Sequence, residues 1–178
     1  CSRLTSIVIP DSVTSIGASV FGWCSRLTSV VIPDSVTSIG YSAFAYCYKL
    51  VEVINKSSHI AVTKGSSLNG FVGYNAISVS NCDDFYVSKL STDENGYITY
   101  TDGSEVILVS YVGSENELVL PSNITKINQY AFYNMDFITS VVIGDSVTSI
   151  GSSAFASCSS LTSVVIGDSV TSIGSSAF

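Results

Sequence analysis

Cysteine is the residue whose spacing first invites a chemical reading. Cys1, Cys24 and Cys47 follow one another at intervals of 23 residues, and Met135 stands the same interval before Cys158. A nucleophile or a thiolate ligand cannot be exchanged for a thioether that does not ionise, whereas a buried packing position can. The column therefore reads as reduced, core-facing side chains. Disulfides between neighbouring units remain the alternative, although a ladder of three leaves one sulfur over. Cys82 stands outside the register and reads as a free thiol.

The other candidate chemistries are weaker. Asp11, Asp34, Asp145 and Asp168 each follow Pro or Gly at a turn, where a carboxylate caps backbone amides. Asp83, Asp84, Asp93, Glu94, Asp102 and Glu105 crowd the middle of the chain without the spacing of a calcium loop. Paired cysteines at zinc-finger spacing are missing, so no metal ligand is assigned. His59 is the sole histidine, and no GxSxG, HExxH or phosphate-loop sequence occurs. The chain reads as non-enzymatic, with no catalytic residue and no cofactor, and an enzyme would need its site in residues 56–111. Asn55-Lys-Ser and Asn123-Ile-Thr match the N-glycosylation triplet, and Asn123 also suits a turn.

Charge narrows the partners. Only 12% of the residues are charged and the net charge is −7, with seven Lys and Arg in all. That balance disfavours a phosphate backbone and simple attachment to an anionic bilayer, and leaves proteins and neutral glycans open. No apolar run approaches the roughly 20 residues that cross a membrane, and no secretory signal stands at the start. A chain that opens inside one repeating unit at Cys1 and stops inside another at Phe178 reads as part of a longer protein with neighbouring domains.

The elements that would position any site repeat with the same interval. Leu4, Leu27 and Leu50 share a column, Ile138 aligns with Leu161, and Phe155 with Phe178. A further unit begins near Val112, where Leu118, Leu120, Ile124, Ile127, Ala131 and Phe132 match Val141, Ile143, Val147, Ile150, Ala154 and Phe155. This spacing lies within the range of leucine-rich solenoids. Within a unit, Leu27–Ile32 reads as a short strand with Leu27, Val30 and Ile32 inward, and Pro33-Asp34-Ser35 turns the chain. Val36 and Ile39 supply a second inward pair. Gly40 then permits a sharp bend into a single helical or 3₁₀ turn around Ala43 and Phe44. Such coils are too small to bury their apolar groups alone, so neighbours must stack.

The predicted fold is thus an α/β leucine-rich-repeat solenoid, predominantly β with short helical or 3₁₀ turns. It forms one domain over 1–178, with regular repeats at about 1–54 and 112–178 and an irregular insertion or degenerate repeats at 55–111. Asn55 breaks the column held by Ile9, Ile32 and Ile143, and residues 97–111 read as a β-hairpin around Asp102-Gly103.

The phrase LTSVVIPDSVTSIGxxAFxxC resembles the BspA-like leucine-rich repeat family over roughly two thirds of the chain. The resemblance implies a secreted or cell-surface location in a host-associated bacterium or parasitic protist, and a role in adhesion to a host or neighbouring cell. It transfers no binding residue, because the matching columns are scaffold. A protein or surface-glycan ligand would meet exposed residues, for which the candidates are Thr5, Thr28, Thr139 and Thr162 on the strands. Trp23, Tyr46, Tyr97, Tyr100 and Tyr111 are the aromatic candidates. The alternative is a structural spacer within a larger surface protein.

Overall fold

A coil begins with a strand whose alternate residues enter the core. In β3 (Ser29–Ile32) Val30 and Ile32 are buried while Ser29 and Val31 point outward, and Leu27, just ahead of it, is fully enclosed. The computed structural model describes residues 3–81 and 86–178. They fall into two units, Cys1–Ser88 and Lys89–Phe178.

In the first unit, β1 (Ser6–Val8), β3, β5 (Glu52–Asn55) and β6 (Ser78–Asn81) form a parallel ladder in which Ile7, Val30, Val53 and Val79 are in register. A second, two-stranded ladder joins β2 (Ser15–Ile16) to β4 (Ser38–Ile39). Between the ladders lie Val36, Phe44, Cys47, Leu50 and Val72, so each coil closes over its neighbour's apolar groups. The turn after β3 is closed by the Val36 amide on the Pro33 carbonyl at 3.1 Å.

Stacking continues past Asn55, because that side chain builds a wider turn. Its amide nitrogen donates to the Ile60 carbonyl at 2.7 Å and to Asn81 Oδ1 at 3.1 Å, while its oxygen accepts from the Ser57 amide at 3.2 Å. The next strand is consequently met 26 residues later, at Asn81, instead of 23. Buried amide groups of this kind are tolerated when their hydrogen bonds are made.

The second unit opens with an antiparallel meander of β7 (Leu90–Thr92), β8 (Tyr97–Asp102) and β9 (Glu105–Tyr111). The expected hairpin is present, with Asp102 opposite Glu105 across Gly103-Ser104. Gly103 has φ +61° while Ser104 stays outside the left-handed region, the combination a type II′ turn requires. β9 then pairs in parallel with β11 (Lys126–Ile127), which continues into β13 (Ser149–Ile150) and β15 (Ser172–Ile173). The facing ladder is β10 (Glu117–Val119), β12 (Ser140–Ile143) and β14 (Ser163–Ile166). Phe132, Phe155 and Phe178 stack through the unit with ring planes 8° and 3° apart.

The helical component of the expected α/β fold is corrected. The described residues contain no α-helix, and a single 3₁₀ turn at Asn69–Phe71 is itself broken by Gly70 at φ +66°. The molecule is a mostly β solenoid. In the segment expected to turn helically, Ser42 and Tyr46 adopt φ +55° and +62°, as Ser19 and Trp23 do one coil earlier. Amides there alternate their partners: Ser19, Phe21 and Trp23 donate to Tyr41, Ala43 and Ala45 of the next coil, whereas Gly22 and Cys24 donate back to Ser19 and Phe21. A helix needs every amide for its own chain four residues back. Here every second amide is committed to the neighbouring coil.

The bend expected after Gly40 is present, closed by the Ala43 amide on the Gly40 carbonyl at 3.2 Å, but glycine is required for another reason. Its φ is not positive, and a Cβ on it would lie 2.5 Å from the Ala18 amide nitrogen. Glycine here lets two coils approach.

Candidate interaction surface

The threonine column is built by the same stacking. Thr28 Oγ1 donates to the Thr5 carbonyl at 3.1 Å, Thr139 Oγ1 to Asn116 at 3.1 Å and Thr162 Oγ1 to Thr139 at 3.2 Å. A second column repeats the device, with Thr37 on Thr14, Thr148 on Thr125 and Thr171 on Thr148. Each hydroxyl thus ties its coil to the preceding one. Thr28 is buried, Thr5 and Thr139 are half-buried, and Thr162 is exposed.

The aromatic candidates divide. Tyr97, Tyr100 and Tyr111 lie inside the second unit, where Tyr97 and Tyr111 rest against each other at 5.0 Å and Tyr97 donates its hydroxyl to the Val119 carbonyl at 3.2 Å. Burial, followed by the neighbouring Tyr111 and Asp93, pushes the Tyr97 phenol up to about 12. The Tyr97 and Tyr111 rings pack the hairpin onto the stack, whereas Tyr100, buried but outside that core, has the Lys89 ammonium 5.9 Å from its ring. Trp23 and Tyr46 stand outside, 61% and 50% exposed, with ring centroids 4.0 Å apart and planes 17° apart. Both sit on left-handed turn residues, which point successive coils' side chains the same way. The two rings form one slab.

The polar candidates are structural in geometry. Cys24, Cys47 and Cys158 are buried, reduced thiols, and the Cys47 and Cys158 sulfurs donate to the carbonyls of Phe21 and Phe132. Cys1 and Cys82 lie outside the described residues. Asp93 accepts from the amides of Asn95 and Tyr97 and caps its own turn, whereas Asp145 accepts from the Asp168 amide one coil on, at 3.0 Å, and ties two coils together. Among the described residues no three His, Cys, Asp or Glu side chains gather as a metal site. His59 is an exposed loop residue.

One arrangement was not anticipated. Glu52 points from β5 to the outer side of the ladder yet is only 1% exposed, because irregular chain crosses it: Tyr86 donates to Oε1 and Ser88 to Oε2, both at 2.6 Å. Hydrogen bonds to a carboxylate are among the stronger ones. The signal in the sequence was a charged residue in a column that otherwise reads Ser6, Ser29 and Ser78. Among the described residues no helix is long and apolar enough to cross a membrane.

Comparison with known proteins accords with this geometry. A family model described as the BspA type leucine rich repeat region matches in six copies over residues 1–89 and 110–178. Among solved structures, the chain is similar to a leucine rich cell surface protein from Faecalibacterium prausnitzii A2-165, at 21% identity over 94% of this chain and 62% of that chain, with TM-score 0.50. It is also similar to the pneumococcal vaccine antigen PcpA, at 15% identity over 93% of this chain and 51% of that one, with TM-score 0.51. A leucine-rich repeat protein from Bacteroides capillosus ATCC 29799 aligns at 26% identity over 51% of this chain and 74% of that chain, with TM-score 0.48. No curated protein matches. The two broad structural matches share the solenoid fold, and the chain spans only part of their lengths. The six repeat matches cover both units, and with the coil-by-coil register they place the chain in the BspA type leucine-rich repeat family.

Proposed function

We propose that the chain is an interaction module of a secreted or cell-surface protein, binding a protein or surface glycan of a host or neighbouring cell through the exposed aromatic slab of the first unit. The observation that carries this reading is the Trp23–Tyr46 stack, half or more exposed on both rings. Such a slab offers flat apolar area with an indole N–H and a phenol O–H at its edges, the combination favoured at recognition surfaces. Membership of the repeat family supports the location, as does the likeness to a chain named a leucine rich cell surface protein.

A spacer reading draws on the threonine columns, whose hydroxyls serve the stack. The two are separated by screening the chain against immobilised extracellular-matrix proteins and a glycan array, alongside the Trp23→Ala/Tyr46→Ala double variant. A selective ligand that the variant loses while its thermal unfolding is unchanged supports the module. Absence of any selective ligand favours the spacer.

A further inference from the structure

The carboxylate that the first unit clamps has a counterpart in the second. Glu117 begins β10 as Glu52 begins β5, and the residues in register with it on β12 and β14 are Ser140 and Ser163, as Ser29 and Ser78 are with Glu52. In the first unit the clamp is filled by the chain itself. Tyr86 and Ser88 face Glu52 while Val87 between them is 80% exposed, the alternation of an extended strand lying across the ladder. Ile54, two residues on from Glu52, is buried.

In the second unit the same face is open. Glu117 is exposed, and Val119, Val142 and Val165, in register on the three strands, are 70%, 38% and 54% exposed. The stripe in the same positions of the first unit is Val8, Val31 and Ile54, of which Val8 is exposed, Val31 half-buried and Ile54, nearest Glu52, buried. The electrostatic setting of the open face is also defined: Lys89–Phe178 holds nine carboxylates and two lysines, and Glu115 is exposed beside Glu117.

We infer that the outer face of β10, β12 and β14 docks an extended segment of a partner protein with the chemistry of Tyr86-Val87-Ser88-Lys89. The pattern is two hydroxyl side chains on alternate residues, followed by a cation. Glu117 accepts the two hydroxyls, the valine stripe meets the segment's apolar atoms, and the acidic surroundings match the lysine. This site is independent of the Trp23–Tyr46 slab.

The test is a titration of the isotope-labelled full chain with the acetylated, amidated peptide YVSKL, followed by amide chemical shifts. Shifts at 117–119, 140–142 and 163–165 are expected. The isosteric Glu117→Gln change should weaken binding about tenfold, the size associated with a hydrogen bond to a charged group. Val142→Arg, on an outward position, should abolish it. A peptide with Phe for Tyr and Ala for Ser should bind as weakly as the Glu117→Gln pair, and Trp23→Ala/Tyr46→Ala should bind normally. The last result separates this site from the aromatic one. No shifts at millimolar peptide, shifts confined to other residues, or affinity indifferent to Glu117→Gln would overturn the inference. Self-association through this face, read by sedimentation and lost in Val142→Arg, would assign it to a second copy and overturn it equally.

Discussion

Cys47 shows what the interior does to a reactive group. Burial, then the nearby Cys24, pushes its thiol from 9.0 up to about 12, and the sulfur donates to the Phe21 carbonyl. The reactive thiolate is therefore scarce at neutral pH. Iodoacetamide at pH 8 should leave Cys47 unmodified in the folded chain and alkylate it in denaturant, as peptide mass mapping would show. The same shift has a sign for stability. A folded-state pKa raised above the unfolded value stabilises below the unfolded pKa, and that contribution is lost as pH rises through the window from about 9 to about 12. Tyr97 shifts in the same direction. Unfolding followed by circular dichroism should thus weaken across that window, less steeply in Cys47→Ala relative to its own neutral-pH stability. The cysteine column was legible because methionine takes one of its places. The threonines were not, since strand alternation tells which side a side chain leaves on and not that its hydroxyl finds a carbonyl 23 residues away. Glu52 was missed because its partners come from outside the repeat pattern, 34 and 36 residues along the chain.

At the scale of elements, strands and the hairpin followed from β-branched runs and from Gly103, whereas the turn segments were misread. Residues such as Ala43 and Phe44 are compatible with a helical turn, and nothing in Ser or Tyr announces a positive φ. The conformation is imposed by amides bonding to the next coil. Backbone in this region normally costs a non-glycine residue about 1–2 kcal/mol. Ser153, at φ +54° and half-buried, provides the check. Ser153→Val should destabilise by roughly 1–2 kcal/mol in urea unfolding, because a β-branched side chain tolerates this region worst, while Ser153→Asn should be nearly neutral. In a helical turn the two variants would differ little, since valine and asparagine have similar helix propensities.

For the whole molecule, the charge is unevenly divided. Cys1–Ser88 carries five acidic and five basic residues, so the net −7 resides entirely in Lys89–Phe178. Like charges on one unit repel, and salt screens them. Raising sodium chloride from low to moderate concentration should stabilise the second unit and leave the first nearly unchanged. The chain's one tryptophan, Trp23, lies in the first unit and reports it alone by fluorescence, while circular dichroism follows both. A salt response of equal size by both probes would contradict this division. The threonine bonds described above carry a last consequence. Each reaches one coil back and none reaches two, so excising a whole 23-residue turn of the chain would bring a new donor to an identical acceptor. Length can then drift over generations in steps of one coil, a molecular ruler whose graduations are added or lost without redrawing the marks that remain.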